Sequence, residues 1–389
     1  MLNIIIVGNK HLSKPNIPRK SKHHLIYPKE FPVGRYPLSK LWYPFNNLAV
    51  WQPTFKKKSV IHAFNSIPYT INPFIITGEL FIPFVSIRNN SSLLEKNIYY
   101  LLQKRLELDN CKKIILLSDY AKQRFKDKFK NINSSIENKL EIIHPNFPAQ
   151  TDNYKNLGEN LNIIFLGNHF ARKGGIVTLR LAKKAHQRGL PLTIHIASKL
   201  VIGAGVPTDY PDRARYEEDL ELLDLPNVKY YGSLANKDVL KLMAICDFQI
   251  LPSLEDTYGF SIVEGFSTAT PAIATNICAL PELVENERTG YTLKLPKTEL
   301  GSWLGYRQWM NVRDNPSEQI LEDYWEMLDK TYEDLAEQAF AKISDFWSNP
   351  NRLNIYKSLS QIAFDRFQTF HDSNRIAEKF DDIYSKALL

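Results

Sequence analysis

Cysteine is nearly missing from this chain of 389 residues: Cys111, Cys246 and Cys278 are all there is, scattered, odd in number and without metal-ligand spacing. The pattern excludes a disulfide framework and a zinc site and points to a reducing compartment. Each cysteine reads as a small buried apolar residue. An Asp-x-Asp pair is also absent, so no metal is expected to be required. Long apolar runs are lacking too. The strongest, residues 67–87, is interrupted by Pro68, Asn72, Pro73, Glu79 and Pro83, and fits two buried strands better than a bilayer helix. Residues 4–7 are apolar but have no basic flank before them and no small-residue cleavage site after, so they read as a first strand rather than a leader. The expectation is a cytoplasmic protein.

What the chain does have is length, and charge unevenly placed. At 389 residues it should fold as two domains, because a single core stops growing well before that size. Residues 1–150 carry 23 Lys and Arg against 9 Asp and Glu, and the remainder carries 26 against 33, leaving a net +7. A basic half beside an acidic half speaks to partners rather than to fold. Nucleic acid is not expected among them, since the basic residues are not woven into a recognisable binding module.

The rest of the chain is organised around residues 251–291, LPSLEDTYGFSIVEGFSTATPAIATNICALPELVENERTGY. They read as the end of a buried strand, a Pro252-Ser253 turn, an acidic loop, a helix from about Tyr258 and a short strand over 271–275. That is the order of a parallel α/β sheet, whose ligands sit beyond the carboxyl ends of the strands. Asp256 and Glu264 stand eight apart with Gly259 between them. One acid precedes the helix and the other lies about two turns along it, which suits opposite ends of an elongated polar ligand rather than a two-carboxylate centre. Pro252-Ser253, Asp256-x7-Glu264, Gly259, Thr270-Pro271, Pro281-Glu282 and Thr289-Gly290 together resemble the signature of retaining glycosyltransferases with the two-domain GT-B fold, most closely family 4. Asp256 stands where Glu is commoner, Ala269 where Gly is usual, and Ala279 in place of a Gly near the donor phosphates.

A second stretch carries the same resemblance. Residues 161–166 read as a strand, and the loop Gly167-Asn168-His169-Phe170-Ala171-Arg172-Lys173-Gly174-Gly175 leads from it into a helix. A Gly-rich basic loop before a helix amino terminus suits an anion. The loop is similar to the family's Gly-Arg-x4-Lys-Gly segment; Lys173 and Gly174 match, Asn168 stands where the Arg is usual, and Arg172 is its candidate replacement. The resemblance implies two Rossmann-like domains facing each other across a cleft, over residues 1–150 and 151–365, with a helix at 366–389 crossing back to the first. It implies a nucleotide diphospho-sugar donor, UDP- or GDP-linked, with no cofactor required. In that scheme Lys173 and Arg172 neutralise the diphosphate and Glu264 binds the ribose. Asp256, with the amides at Tyr258, Gly259 and Phe260, holds the sugar. Gly167, Asn168, Gly174 and Gly232 complete the donor side, and the region after Gly232 holds the base through backbone groups.

In the first half, residues 2–7, 60–64, 73–77, 111–117 and 142–147 read as strands, and 91–108 and 119–130 as helices. Acceptor-side candidates are Gly8, His62, Glu79 and Ser118, beside plainer readings: a core histidine for His62, a turn cap for Glu79, a helix N-cap for Ser118. The helix over 119–130 sets five basic residues beside Phe125 and Phe129. It reads first as a surface helix with both rings in the core, and alternatively as a face resting on anionic lipid. Hence the expectation of a glycan or lipid-linked acceptor and of peripheral contact with the inner face of a membrane. Residues 318–342 and 362–389 read as helices. The alternative to an enzyme of surface polysaccharide synthesis is a catalytically silent GT-B domain that binds a glycan or a partner.

Overall fold

The computed structural model describes residues 1–8, 13, 15–27, 59–68, 70–80, 92–129 and 132–388, and of residues 92–99 the backbone alone. The far end of the 67–87 run and the last residue of the 119–130 helix lie outside the described residues. The chain forms two compact units, Met1–Phe147 with Phe370–Leu389, and Pro148–Thr369.

The first unit is built on a parallel sheet in the order β2-β1-β3-β4-β5-β6. Its strands are β1 (Asn3–Gly8), β2 (His24–Ile26), β3 (Ser59–Phe64), β4 (Phe74–Gly78), β5 (Cys111–Leu116) and β6 (Leu140–Ile142). Both β3 and β4 are buried along their whole length and read as continuous apolar runs, as a parallel sheet covered on both faces requires. Helix α1 spans Ser92–Glu107 and α2 spans Asp119–Lys128. Phe125 and Phe129 of the α2 region are buried, the surface-helix reading of that segment. The strand expected over 142–147 is not formed. Pro145 has no N–H to give a ladder, and Phe147 makes only an isolated parallel bridge with Asp372.

The second unit holds a parallel sheet in the order β12-β11-β10-β7-β8-β9. The strands are β7 (Leu161–Leu166), β8 (Leu192–Ala197), β9 (Val228–Tyr230), β10 (Phe248–Leu251), β11 (Ala272–Thr275) and β12 (Gly290–Leu293). The winding reverses between β7 and β10, so a crevice opens beyond the carboxyl ends of these two strands. Around the sheet lie α3 (Gly175–Gln187), α4 (Asn236–Ile245), α5 (Phe260–Phe266), α6 (Tyr306–Asp314), α7 (Glu318–Ser348) and α8 (Arg352–Phe370). A basic stripe on α3 meets an acidic stripe on α7 at matched four-residue steps. Arg180 pairs with Asp329, Lys184 with Glu333 and Glu337, and Arg188 with Glu337. Asp219 takes the inner side of Arg180 at 2.8 Å.

The helix expected over 362–389 is two. The break falls at His371-Asp372, where Asp372 caps α9 (Ser373–Lys386) through the amides of Asn374 and Arg375. Helix α9 completes the first unit: Ser21 and the Lys22 amide both donate to the Asp381 carboxylate, at 2.5 and 2.9 Å. Among the described residues no helix is long and apolar enough to cross a membrane.

Candidate functional site

At the switch point of the second sheet, the loop after β7 folds back on itself. The Lys173 amide donates to His169 O at 3.0 Å, Gly174 to Ala171 O at 2.9 Å and Gly175 to Phe170 O at 2.7 Å. Buried Phe170 anchors the turn edge-on to Phe165, with ring centroids 5.4 Å apart. Gly174 has φ 88, and a Cβ there would stand 2.3 Å from the Pro252 carbonyl oxygen. Only glycine lets this loop lie against the one that follows β10. The Leu254 amide then donates to Arg172 O at 2.9 Å, so the loops from either side of the switch point form one body.

The charges of the two loops are paired across that contact. Lys173 Nζ donates to Asp256 Oδ2, while Asp256 Oδ1 accepts the amides of Tyr258 at 3.2 Å and Gly259 at 3.0 Å. Asp256 is only 3% exposed. Burial alone would raise its carboxyl, but the Lys173 ammonium, the Arg172 guanidinium and the Tyr258 amide outweigh it and hold the group below the usual carboxylate range. The Tyr258 and Gly259 amides, expected to meet a sugar, are therefore given to Asp256. Gly259, at φ 92, precedes α5, which begins at Phe260 rather than Tyr258. Arg172 donates to Glu255 O at 3.1 Å and lies 3.0 Å from His169 Nδ1. Burial, then Arg172 and Lys173, lower the His169 pKa, so its ring is neutral near pH 7 and free to accept.

Beside this pair lies a pocket of about 290 Å³, lined by Gly167, Asn168, Ser198, Ser233, Asn236 and Glu264 among others. Asn236, the first residue of α4, donates to the Glu264 carboxylate at 3.1 Å. The Gly232 carbonyl accepts the Ser198 amide at 2.9 Å, which sets the following Ser233 and Leu234 into the wall. Gly167 joins the two regions: a Cβ there would stand 2.8 Å from Lys173 Cβ. The arrangement offers hydroxyls and amides to a flat polar group, a carboxylate to paired hydroxyls, and two cations to an anion at the pocket's edge. Ser198 was not foreseen, and Ser233 and Asn236 were expected only as part of the region after Gly232, through backbone groups rather than side chains. Their signal was position, each following a strand or opening a helix on the carboxyl side of the sheet.

The first-unit candidates divide differently. His62 is wholly buried, with Nδ1 2.7 Å from Tyr384 OH and Nε2 2.7 Å from Thr77 Oγ1, and burial pushes its pKa down to about 3. It is a neutral core histidine, and its acceptor-side role is withdrawn. Ser118 is buried and its side chain accepts the Ala121 amide at 3.0 Å, the N-cap of α2. Glu79 lies just past β4, its amide donated to Asn65 Oδ1 at 3.0 Å. Gly8 ends β1 opposite Phe64, at the first sheet's own reversal between β1 and β3. Among the described residues no group of three or more His, Cys, Asp or Glu is placed to hold a metal ion.

Residues 148–300 match the family described as Glycosyl transferases group 1. The second unit carries a glycosyl transferases group 1 domain. Both glycine-lined loops of the pocket and the Asp256 to Glu264 interval fall inside the matched residues of this domain. Over 132 residues, 34% of this chain and 32% of that protein, the chain is 28% identical to an uncharacterized 41.2 kDa protein in the cps region of Klebsiella pneumoniae. It thus spans about a third of the length of that curated relative. Among solved structures it is similar to a glycosyltransferase from Rickettsia africae ESF-5, with TM-score 0.61, 14% identity, and 100% of this chain and 98% of that one covered. It is also similar to Anabaena Alr3699/HepE in complex with UDP-glucose, with TM-score 0.56, 14% identity, and 99% and 100% covered. At such identities the likeness is one of fold, and the fold around the group 1 domain is that of the GT-B glycosyltransferases.

Proposed function

We propose that the chain transfers a sugar, with retention, from a nucleotide diphospho-sugar to a glycan or lipid-linked acceptor. The observation that carries this reading is the juxtaposition of the Glu264 pocket with the Lys173, Arg172 and Asp256 cluster at the switch point of a group 1 domain. The base and ribose occupy the pocket, with Glu264 accepting from the ribose hydroxyls. The diphosphate extends over Gly167 to Lys173 and Arg172. Charge grows on the leaving diphosphate as the glycosidic bond breaks, so these cations stabilise the transition state more than the ground state. An acceptor hydroxyl attacks on the leaving-group face and its proton passes to a phosphate oxygen, with no protein nucleophile. Asp256 orients Lys173 and offers its remaining lone pair to a sugar hydroxyl.

A UDP-linked donor is favoured by the UDP-glucose held by the Anabaena relative in fold, and a role in surface polysaccharide synthesis by the cps region of the Klebsiella relative. Full activity in the presence of EDTA is expected, because the two cations supply the charge neutralisation. Peripheral contact of the basic first half with anionic membrane belongs to the same proposal; absence of co-sedimentation with anionic liposomes at low salt would remove it.

The primary test is a thermal-shift screen against UDP-, GDP-, ADP- and dTDP-sugars with wild type, Glu264→Ala and Lys173→Ala. A ligand that binds the folded state raises Tm by linkage. One nucleotide class should stabilise wild type, and both variants should lose the shift. No shift at millimolar ligand would favour a silent glycan-binding GT-B domain instead.

A further inference from the structure

Beyond Ser198, the segment after β8, residues 199–213, has no part in the site as proposed, yet it is stitched to the loop after β7. The Val201 amide donates to Asn168 O at 2.9 Å and the Phe170 amide to Val201 O at 2.8 Å. Leu200 and Thr208 within it take positive φ, 51 and 67, which side chains other than Gly and Asn rarely do. Beside Thr208 is Asp209, 1% exposed. Its Oδ2 accepts the Gly203 amide at 3.1 Å, and its Oδ1 has no hydrogen-bond partner among the described residues. A buried carboxylate with one oxygen left without a hydrogen bond is costly, and a fold that keeps one calls for a reason.

The positive charge acting on Asp209 is the Arg172 guanidinium, and the Arg172 backbone N–H adds a weaker pull on the carboxylate. Arg172 Nε is itself buried and has no hydrogen-bond partner among the described residues. The other ionisable neighbours are phenols. Tyr216 accepts the Tyr210 amide at 2.7 Å, Tyr324 donates to Thr208 O at 2.7 Å, and Tyr332 stands with them. Burial raises all three, so none ionises near neutrality. His169, on the far side of Arg172, is neutral there as well.

We propose that Asp209 is a positioning residue for Arg172, and that binding of a diphosphate at the loop is coupled to uptake of a proton by the Asp209 carboxylate. This role rests on the donor site proposed above. Burial lifts the Asp209 carboxyl to about 7, against the pull of the Gly203 amide and Arg172. While ionised, Asp209 draws Arg172 towards the protein. A bound diphosphate shares the guanidinium and adds negative charge nearby, and both changes favour protonated Asp209. The proton comes from solvent or buffer and forms the Asp209 O–H bond; no other covalent bond changes. A ligand that promotes protonation binds more weakly as pH rises, so donor affinity falls above neutrality.

Isothermal titration calorimetry of the full chain with UDP-glucose, in phosphate and in Tris buffer, counts the protons taken up. This ligand has no phosphate ionisation near neutrality. Wild type should take up about a third to a half of a proton at about pH 7, where Asp209 is already about half protonated, and its Kd should weaken about threefold to tenfold between about pH 6.5 and 8.5. Asp209→Asn, of nearly the same shape, should bind without proton uptake and with a flat pH profile, its fold checked by its Tm. Binding by wild type without proton uptake overturns the proposal whatever the variant does, and undiminished uptake in Asp209→Asn overturns it too. GDP-, ADP- and dTDP-glucose are titrated should UDP-glucose not bind. Failure of all four removes the donor site and the Asp209 role together, an outcome distinct from binding without uptake.

Discussion

Asp256 has about four lone-pair positions, and Lys173 with the amides of Tyr258 and Gly259 fills three of them. Removing the cation leaves a buried carboxylate held by two amides alone. Lys173→Ala should therefore destabilise the second unit by about 3 kcal/mol, the scale for breaking a buried pair, slightly reduced because the lysine end reaches solvent. Asp256→Asn with Lys173→Met should recover part of the loss in urea denaturation; additive losses would deny the coupling. His62 gives a prediction in pH. Its folded-state pKa is lowered to about 3 from about 6.5, so the unfolded chain takes up a proton that the folded chain refuses. Its contribution to stability is complete above about 6.5 and is lost as pH falls towards 3. His62→Gln should flatten that acid slope for the first unit, at a constant cost from imperfect bonds to Tyr384 and Thr77; an unaltered slope would place the titration elsewhere.

At the scale of elements, the α3 and α7 ladder is a pairing of stripes, and its parts carry unequal weight. Glu337 is held by Arg188 and Lys184 down to about 2, so its stabilisation is present above about 4.5 and disappears between there and 2. It is half-exposed, and solvent screening keeps that contribution small. Arg180 is far less exposed than Arg188 and is gripped by Asp219 and Asp329. Arg180→Ala should cost more than Arg188→Ala, and only the latter's effect should fade in molar salt, as melting curves at two ionic strengths would show. Neither stripe was read from the sequence, although each has simple four-residue spacing, because the facing of two helices about 149 positions apart is a tertiary fact. The same limit explains the Lys173 to Asp256 pair: both residues were identified, each with a separate ligand, while their contact depends on Gly174 allowing two loops to touch. Parallel strands were legible from buried apolar runs, and the turn after β7 from its glycines. The 371–372 break was not, since Asp372 caps α9 inside a stretch that is amphipathic throughout. Helix α6 also escaped, its buried face being reduced to Val312.

At the scale of the whole molecule, the two units differ in how the chain closes them. The second is one continuous stretch, Pro148–Thr369, whereas the first must recover Phe370–Leu389 from the far end. Helix α9 brings Ile376, Phe380, Ile383 and Tyr384 into burial, and Tyr384 also bonds His62. At about 2 kcal/mol for each large apolar side chain, its loss forfeits about 8 kcal/mol before the orphaned His62 nitrogen is counted. A domain is commonly stable by about 5–15 kcal/mol, so the first unit without α9 should be marginal or unfolded. A chain ending at residue 369 should then show one cooperative melt instead of two, while keeping the nucleotide-sugar thermal shift of the intact protein. Residues 148–369 alone should fold and show that same shift with no sugar transfer, because the pocket, Lys173, Arg172 and Asp209 all lie within this unit. Loss of the shift in a well-folded 148–369 fragment would mean that the donor needs residues of the first unit, and the assignment of donor binding to the group 1 domain by itself would be wrong.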